Sequence, residues 1–156
     1  MSSAALLTHA TRQADRRVRN AAALEADLGR LAVQLRSDAH RANSARIEAP
    51  KAPGPGPSVL SLALPDELQA EYTLDAREIR RVLRRGGTVL HRESYSRDPA
   101  VPSRWAVREA GRRQVVSLVV EPAEAVSTTD APVSRIDAAV NLFRSSAAAS
   151  NPGGRP

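Results

Sequence analysis

The sequence predicts an α+β fold, in which a long N-terminal amphipathic helix packs on an antiparallel β-meander. From residue 6 to residue 43, apolar side chains recur at spacings of three and four, which is the period of one side of a helix. Beyond residue 58 the apolar period changes to two, and Gly, Pro and Asp residues separate the short segments. That pattern is typical of strands joined by hairpins. The helix has one apolar side, so the sheet is expected to cover it.

The helix is predicted as continuous over residues 12–42 and is assigned to the segment 1–47. Four leucines of its C-terminal half are the expected packing and assembly residues: Leu24, Leu28, Leu31 and Leu35. The opposite side carries charges of both signs, and Asp38 is assigned to it. A helix of about 50 Å, at 1.5 Å per residue, is longer than the sheet that the remaining residues can form. Its N-terminal half is therefore expected to project as a stem, to fray or to meet another chain.

A Pro- and Gly-rich loop, residues 48–58, separates the helix from an antiparallel sheet predicted over residues 59–122. The loop sequence EAPKAPGPGPS is incompatible with a helix or a regular strand. Five strand-like segments follow it: 59–64, 68–74, 88–95, 104–109 and 114–121. The last segment has the most apolar residues, so it is expected to lie centrally or directly under the helix.

Residues 75–87, DAREIRRVLRRGG, fit two local structures. As a helix, the segment has a capping residue at its start and a terminating glycine at its end. As a strand, it would turn at the Gly-Gly pair and form two cross-strand contacts: Leu83 with Leu90, and Arg80 with Glu93. Propensity does not separate these two alternatives, and both stay open at this point.

The tail, residues 123–156, contains one periodic piece over 134–144 that fits a short docking helix. Four apolar residues give this period: Val133, Ile136, Val140 and Phe143. The chain then runs into SSAAASNPGGRP, which has too little apolar mass to offset the entropy of ordering. The end of the tail is expected to be disordered.

The sequence contains no motif for catalysis, for cofactor binding or for metal binding. Cysteine is absent, which excludes disulfides and thiolate metal sites. The three histidines are scattered, with no acidic residue at ligand spacing, and no serine lies in a Gly-x-Ser-x-Gly motif. The chain is therefore expected to be non-enzymatic and to need no cofactor.

The formal charge of +6 and the pI near 11.1 come mostly from arginine. Four arginines are the candidate contacts for a polyanion: Arg80, Arg81, Arg84 and Arg85. In one interpretation they form the solvated face of a hairpin, where positive charge discourages edge-to-edge pairing. In the other, the hairpin region 77–113 is a basic nucleic-acid-binding module. Aromatic and amide side chains are not interleaved with these arginines, so weak and non-specific binding of nucleic acid is expected.

The order of these elements resembles the pilin-like proteins of type II secretion and type IV pilus systems, the pseudopilins. The resemblance covers roughly residues 10–122. It is carried by four features: the leucine-spaced helix closing in RSDAH, the strand with Glu71-Tyr72, the RESY strand after a Gly turn, and the final VVSLVV strand. It implies a hairpin for residues 75–87. It also implies a structural subunit of a bacterial secretion or pilus filament, which contacts other pilin-like subunits through its N-terminal helix.

Pseudopilins begin with a basic leader, a cleavage site followed by Glu, and about 20 apolar residues that anchor them in the membrane. Residues 1–10, MSSAALLTHA, contain none of these features. Three explanations stay open: the anchor was removed, the chain starts downstream of the true start, or this relative has lost the anchor. With an anchor, the resemblance implies a cell-envelope protein at the periplasmic face of the inner membrane. Without one, it implies no location.

Overall fold

The computed structural model describes residues 3–48, 57–111, 113–121 and 134–140. These ranges contain one helix and eight strands: α1 (Ser3–Arg41), β1 (Ser44–Glu48), β2 (Ser58–Ala63), β3 (Leu68–Leu74), β4 (Glu78–Arg85), β5 (Thr88–Ser96), β6 (Ser103–Ala110), β7 (Arg113–Val120) and β8 (Ser134–Ala139). Every paired strand is antiparallel to its neighbour. The predicted α+β class, with one N-terminal helix followed by an antiparallel meander, is confirmed.

The strands form two sheets, whereas the sequence predicted one continuous sheet over residues 59–122. The first sheet has the order β1-β2-β3-β4-β5, and the second has the order β6-β7-β8. The break between β5 and β6 contains Pro99 and Pro102, which lack the backbone N–H that a continuous ladder needs. A turn replaces the ladder there, because the Val101 N–H donates to the Asp98 carbonyl at 3.2 Å. The prediction that the last apolar strand lies centrally is confirmed, since β7 separates β6 from β8.

The predicted long helix is confirmed, but its assignment up to residue 47 is wrong. Helix α1 has 39 residues and ends at Arg41. The chain reverses immediately afterwards, where the Asn43 N–H donates to the Ala63 carbonyl at 2.7 Å. Residues Ser44–Glu48 then pair with β2.

The core lies between the C-terminal half of α1 and the two sheets. Leu31 and Leu35 are completely buried, Leu28 packs against the core from a partly buried position, and Leu24 is half-buried. Both sheets contribute core side chains at alternate strand positions: Leu60, Leu62, Tyr72, Ile79, Trp105, Val116 and Leu118. Helix α1 contacts β5 in one sheet and β8 in the other. It therefore joins the two sheets into one core.

The short helix predicted over residues 134–144 is wrong, because its first part is strand β8. Alternate residues of this segment face inward: Ile136, Ala138 and Val140. This spacing fits the alternation of a strand, and the same apolar residues also fit the period of a helix. The segment is a strand and not a helix because the open edge of β7 pairs with Ser134–Ala139 along its length. Residues 141–144 lie outside the described residues. So do residues 49–56 of the predicted loop and the predicted disordered end.

The segment 75–87 forms a strand, so the hairpin is the correct alternative. Gly86 and Gly87 have φ values of 51° and 85°, as the primed turns of two-residue hairpins require. The two predicted cross-strand pairs are wrong by one position. The register shifts beside Leu83, which lies opposite His91 rather than Leu90. A bulge of this kind adds one residue to a strand and moves every later pair, so Arg81 rather than Arg80 lies opposite Glu93.

Among the described residues, no helix has a stretch that is both long enough and apolar enough to cross a membrane.

Amide exchange should differ between the two halves of α1. The amides of residues 31–41 lie on the buried half and should exchange about as slowly as those of the central strand β7. The amides of residues 18–23, whose side chains are all exposed, should exchange much faster, because a helix without tertiary contacts is marginal in water. Exchange measured by NMR tests this, with β7 as the internal reference. Equal protection along the whole of α1 would contradict it.

Candidate functional site

A buried polar cluster fixes α1 to the first sheet, and it begins at Asp38. Its charge predicts a place on the polar side of the helix, and that prediction is wrong. Positions 31, 35, 38 and 42 follow one another at spacings of four, three and four, so Asp38 lies within the apolar stripe. Its side chain is 2% exposed. The stripe was visible in the sequence, and only the polar identity of one of its members hid this residue.

Arg81 reaches the cluster from β4. Strand alternation places it on the same face as Ile79 and Leu83, and the register places it opposite Tyr72 of β3. The Trp105 ring packs edge-on against the Tyr72 ring, with centroids 6.0 Å apart. The Arg81 side chain is 5% exposed. The inward position of Arg81 could have been found from the alternation of β4, had its register been known.

The Asp38 carboxylate accepts four hydrogen bonds. Arg81 binds it with two nitrogens, Nε to Oδ2 at 2.7 Å and Nη2 to Oδ1 at 3.1 Å. The Tyr72 hydroxyl donates to Oδ2 at 2.7 Å, and Gln34 Nε2 donates to Oδ1 at 3.1 Å. Each carboxylate oxygen therefore has two donors, which is its full capacity. A bidentate arginine is the strongest pairing available to a carboxylate. Good geometry is essential here because only a well-aligned pair offsets the cost of removing both charges from water.

The ionisation of the cluster follows from burial and from these contacts. Burial raises the pKa of Tyr72, and the Asp38 charge and hydrogen bond raise that pKa further. Burial alone would lower the pKa of Arg81, but the hydrogen bond and the charge of Asp38 outweigh it, so the net shift is upward. The cluster thus holds a neutral phenol beside a charged arginine. Its carboxylate has no lone pair left for a substrate, which makes the cluster a structural clamp.

A second group of polar side chains extends the cluster to the surface along β5. The Glu93 carboxylate lies 3.4 Å from Arg81 Nη1 and accepts the Tyr95 hydroxyl at 2.7 Å. His91 Nε2 lies 3.1 Å from the other carboxylate oxygen. Burial opposes ionisation of Glu93, yet its pKa is lowered because Tyr95, His91 and Arg81 favour the charged form. Burial and the neighbouring Glu93 raise the pKa of Tyr95.

Helix α1 also holds the end of β5. Asp27 Oδ2 accepts the backbone N–H of Ser96 at 2.8 Å, and its other oxygen accepts Arg30 Nη2 at 2.5 Å. The Arg30 guanidinium lies 5.6 Å from the centroid of the Tyr95 ring, within cation–π range. The pKa of Asp27 is lowered, first by Arg30 and then by the Ser96 N–H.

The four arginines predicted as polyanion contacts do not share one surface. Arg81 is buried in the clamp, so its assignment as a polyanion contact is wrong. Arg80 bonds Asp75 at 2.5 Å and lies 3.3 Å from Glu78, and Arg84 bonds Glu71 at 3.1 Å. Arg85 is exposed at the turn. Strand alternation causes this separation, because β4 pairs with β3 without interruption and successive side chains of β4 face opposite sides of the sheet.

Two open depressions flank β5. The first, about 460 Å³, lies on the outer face of β3, β4 and β5, and Arg80, Arg84 and Arg92 are among its lining residues. The second, about 530 Å³, lies between α1 and β5 and is called the α1/β5 groove below; it is lined by Ala26, Gly29, Arg30, Val33, Gln34, Glu93 and Tyr95. Within the described ranges, no group of three or more histidine and acidic side chains could hold a metal ion.

No protein-family model, curated protein or solved structure matches this chain. The class of protein therefore rests on the fold and the site themselves: an α+β protein whose long N-terminal helix is clamped to an antiparallel sheet by a buried ion pair.

Replacing Asp38 by alanine should destabilise the fold by about 3–5 kcal/mol, because it removes the bidentate partner of the buried Arg81 charge and leaves only the 3.4 Å contact to Glu93. The double variant Asp38→Leu/Arg81→Met should be more stable than either single variant that breaks the pair, since no buried charge remains. Urea denaturation measures these differences. As a control, Arg104→Ala, which removes the exposed ion pair with Glu121, should cost under about 1 kcal/mol. A similarly small effect of Asp38→Ala would contradict the clamp.

The two tyrosines should resist ionisation for as long as the protein is folded. Both folded pKa values lie above the ordinary value near 10. The protonated hydroxyls therefore stabilise the fold at pH values below about 10, and this stabilisation is lost as the pH rises further. Ultraviolet absorbance should show almost no tyrosinate at pH 10 in the native protein and about half ionisation in guanidinium. Half ionisation at pH 10 with the fold intact would disprove this.

Proposed function

We propose that this chain is a non-enzymatic, pilin-like structural subunit of a bacterial secretion or pilus filament. Its N-terminal half-helix is the surface that assembles with other pilin-like subunits. One observation carries the proposal: α1 continues well beyond the sheets that cover its C-terminal half. Side chains 18–23 are all exposed, and Val18 is 69% exposed. We refer to residues 3–23 as the stem.

An isolated stem of this length is not stabilised by its own sequence. Helix formation without tertiary contact is marginal, and the stem has no covering element among the described residues. Contacts with helices of neighbouring subunits would bury Val18 and the alanines beside it. Such contacts would supply the packing that the sheets supply to Leu31 and Leu35.

The clamp suits this function because it fixes the direction of the stem. Arg81 and Tyr72 hold Asp38 on the sheet. Asp27, which lies nearer the N-terminus of the same helix, holds the end of β5. A filament subunit needs a fixed angle between its assembling helix and its outer domain, and two separate attachments along one rigid helix provide one. On this proposal, a chain that is held by an upstream membrane anchor acts at the bacterial cell envelope, on the periplasmic face of the inner membrane.

The nucleic-acid-binding alternative is less favoured by the geometry. A polyanion site needs several arginines free to contact phosphates. Here Arg81 is buried, while Arg80 and Arg84 each have an acidic partner.

Cysteine cross-linking tests assembly through the stem, because the native chain has no cysteine. In Val18→Cys, oxidation should produce disulfide-linked dimers about tenfold faster than in a matched Arg113→Cys variant, since helix contact raises the local thiol concentration. Arg113 is also exposed but lies at the β6–β7 turn, away from the stem. Non-reducing electrophoresis over a range of protein concentrations gives the rates.

Adding Ala22→Glu to the Val18→Cys variant should slow the cross-linking, because a buried acid disfavours helix packing. Equal cross-linking rates at residues 18 and 113 would contradict assembly through the stem.

A further inference from the structure

We propose that the free edge of β5 docks an extended segment of a partner protein in which acidic and apolar side chains alternate. The inference goes beyond the proposed function, because it concerns the sheet edge and not the stem. Three independent features of the described residues converge on it: unpaired backbone groups, a groove beside them, and an arginine without an acidic partner.

The first feature is the row of open backbone groups on β5, which is an edge strand of its sheet. The Arg97 N–H donates to the Arg77 carbonyl at 3.0 Å, whereas the Ser96 N–H points to Asp27. Backbone groups alternate in direction along an antiparallel strand. The backbone N–H and C=O groups of Arg92 and Ser94 therefore point away from β4, as those of Ser96 do. They are available to an incoming strand.

Asp27 sets one limit of this site. Its carboxylate already occupies the Ser96 N–H, so an added strand cannot pair beyond that position. The edge is regular from Ser94 back to His91, and the bulge at Leu90 interrupts it before the turn. This length, about four residues at 3.3 Å each, suits a short extended segment rather than a long strand.

The second feature is the α1/β5 groove. Its helical wall combines three small or apolar residues, Ala26, Gly29 and Val33, with the polar side chains of Arg30 and Gln34. A Cβ atom built on Gly29 would meet nothing within 4 Å, and Val33 is 69% exposed. Side chains on the inner face of an added strand would enter this groove. Apolar side chains fit it, because they would bury against Val33 and Ala26.

The third feature is Arg92 on the outer face. It is exposed, and no acidic side chain pairs with it in the part of the chain that the structure describes. Arg80 and Arg84 line the same outer depression. Successive side chains of an added strand face opposite sides of the sheet. Those that do not enter the α1/β5 groove would lie on the outer face, beside Arg92. An acidic side chain there gains a cross-strand ion pair, and a basic one is repelled.

The same charge argues against a second copy as the occupant. If two β5 edges paired with each other, they would bring two copies of Arg92, with their arginine neighbours, onto one face. Like charges opposite each other destabilise a strand pair. The arginines therefore select against self-association and for an acidic partner, which is the repulsive element that specific recognition requires.

Fluorescence anisotropy with a labelled eight-residue peptide of alternating Glu and Val tests the proposal on the full chain. The wild type should bind this peptide, and a Lys-Val peptide of the same length should bind at least about tenfold more weakly. Arg92→Glu should reverse that preference, because the charge opposite the peptide changes sign.

Proline at position 94 tests the backbone contact. Ser94→Pro removes an N–H that makes no bond to β4, so the fold should survive while peptide binding falls by at least about tenfold. Ser94→Ala keeps the N–H and should bind as the wild type does. Gly29→Leu fills the groove and should also weaken binding. Near-ultraviolet circular dichroism confirms the fold of each variant.

No binding of the Glu-Val peptide to the wild type would overturn the proposal. It would also be overturned if folded Ser94→Pro and Gly29→Leu both bound as tightly as the wild type. If Arg92→Glu were the only variant that lost binding, the peptide would be held by simple charge attraction without strand addition. That result would overturn the proposal as well. Cross-linking of the stem is a separate measurement, so the two proposals can fail independently.

Discussion

The ion pair between Asp38 and Arg81 is the constraint on which the rest of the structure depends. Both charges are removed from water, so each is stable only while the other is in place. Tyr72 and Gln34 complete the hydrogen bonding of the carboxylate. An apolar stripe alone would let the helix slide or rotate over the sheet, because hydrophobic contact is non-directional. A bidentate ion pair fixes both the rotation of the helix about its axis and the position of the helix along that axis. It therefore gives the buried helix one defined orientation on the sheet.

That orientation divides the molecule into a covered half and an uncovered half. The bulge beside Leu83 is as important as the ion pair, since a one-residue change in register exchanges the two faces of a strand. Without it, Arg81 would not lie opposite Glu93, and the polar side chains would not continue from the core to the surface. The direction of the projecting stem follows from where the clamp holds the helix.

Much of the fold could be predicted from residue patterns, because most strands between residues 58 and 120 are short apolar segments separated by turns with Gly, Pro or Asp. The helix ending and β8 were missed for one shared reason: backbone pairing with a neighbouring strand outweighs local propensity, and that neighbour is known only from the tertiary structure. The clamp was missed because Asp38 and Arg81 resemble ordinary surface charges. Only their positions, within a helical stripe and on an inward strand face, mark them as buried.

The most direct test of the clamp is the exchange of the arginine Nε protons with water, observed by NMR. The Nε proton of Arg81 donates to Asp38 at 2.7 Å in a buried site. Its signal should therefore persist at neutral pH and show contacts to the Tyr72 ring and to the helix. The Nε protons of Arg85 and Arg92, which are exposed, should exchange rapidly. An Arg81 proton that exchanges as fast as these two would mean that the helix is not clamped to the sheet through this pair.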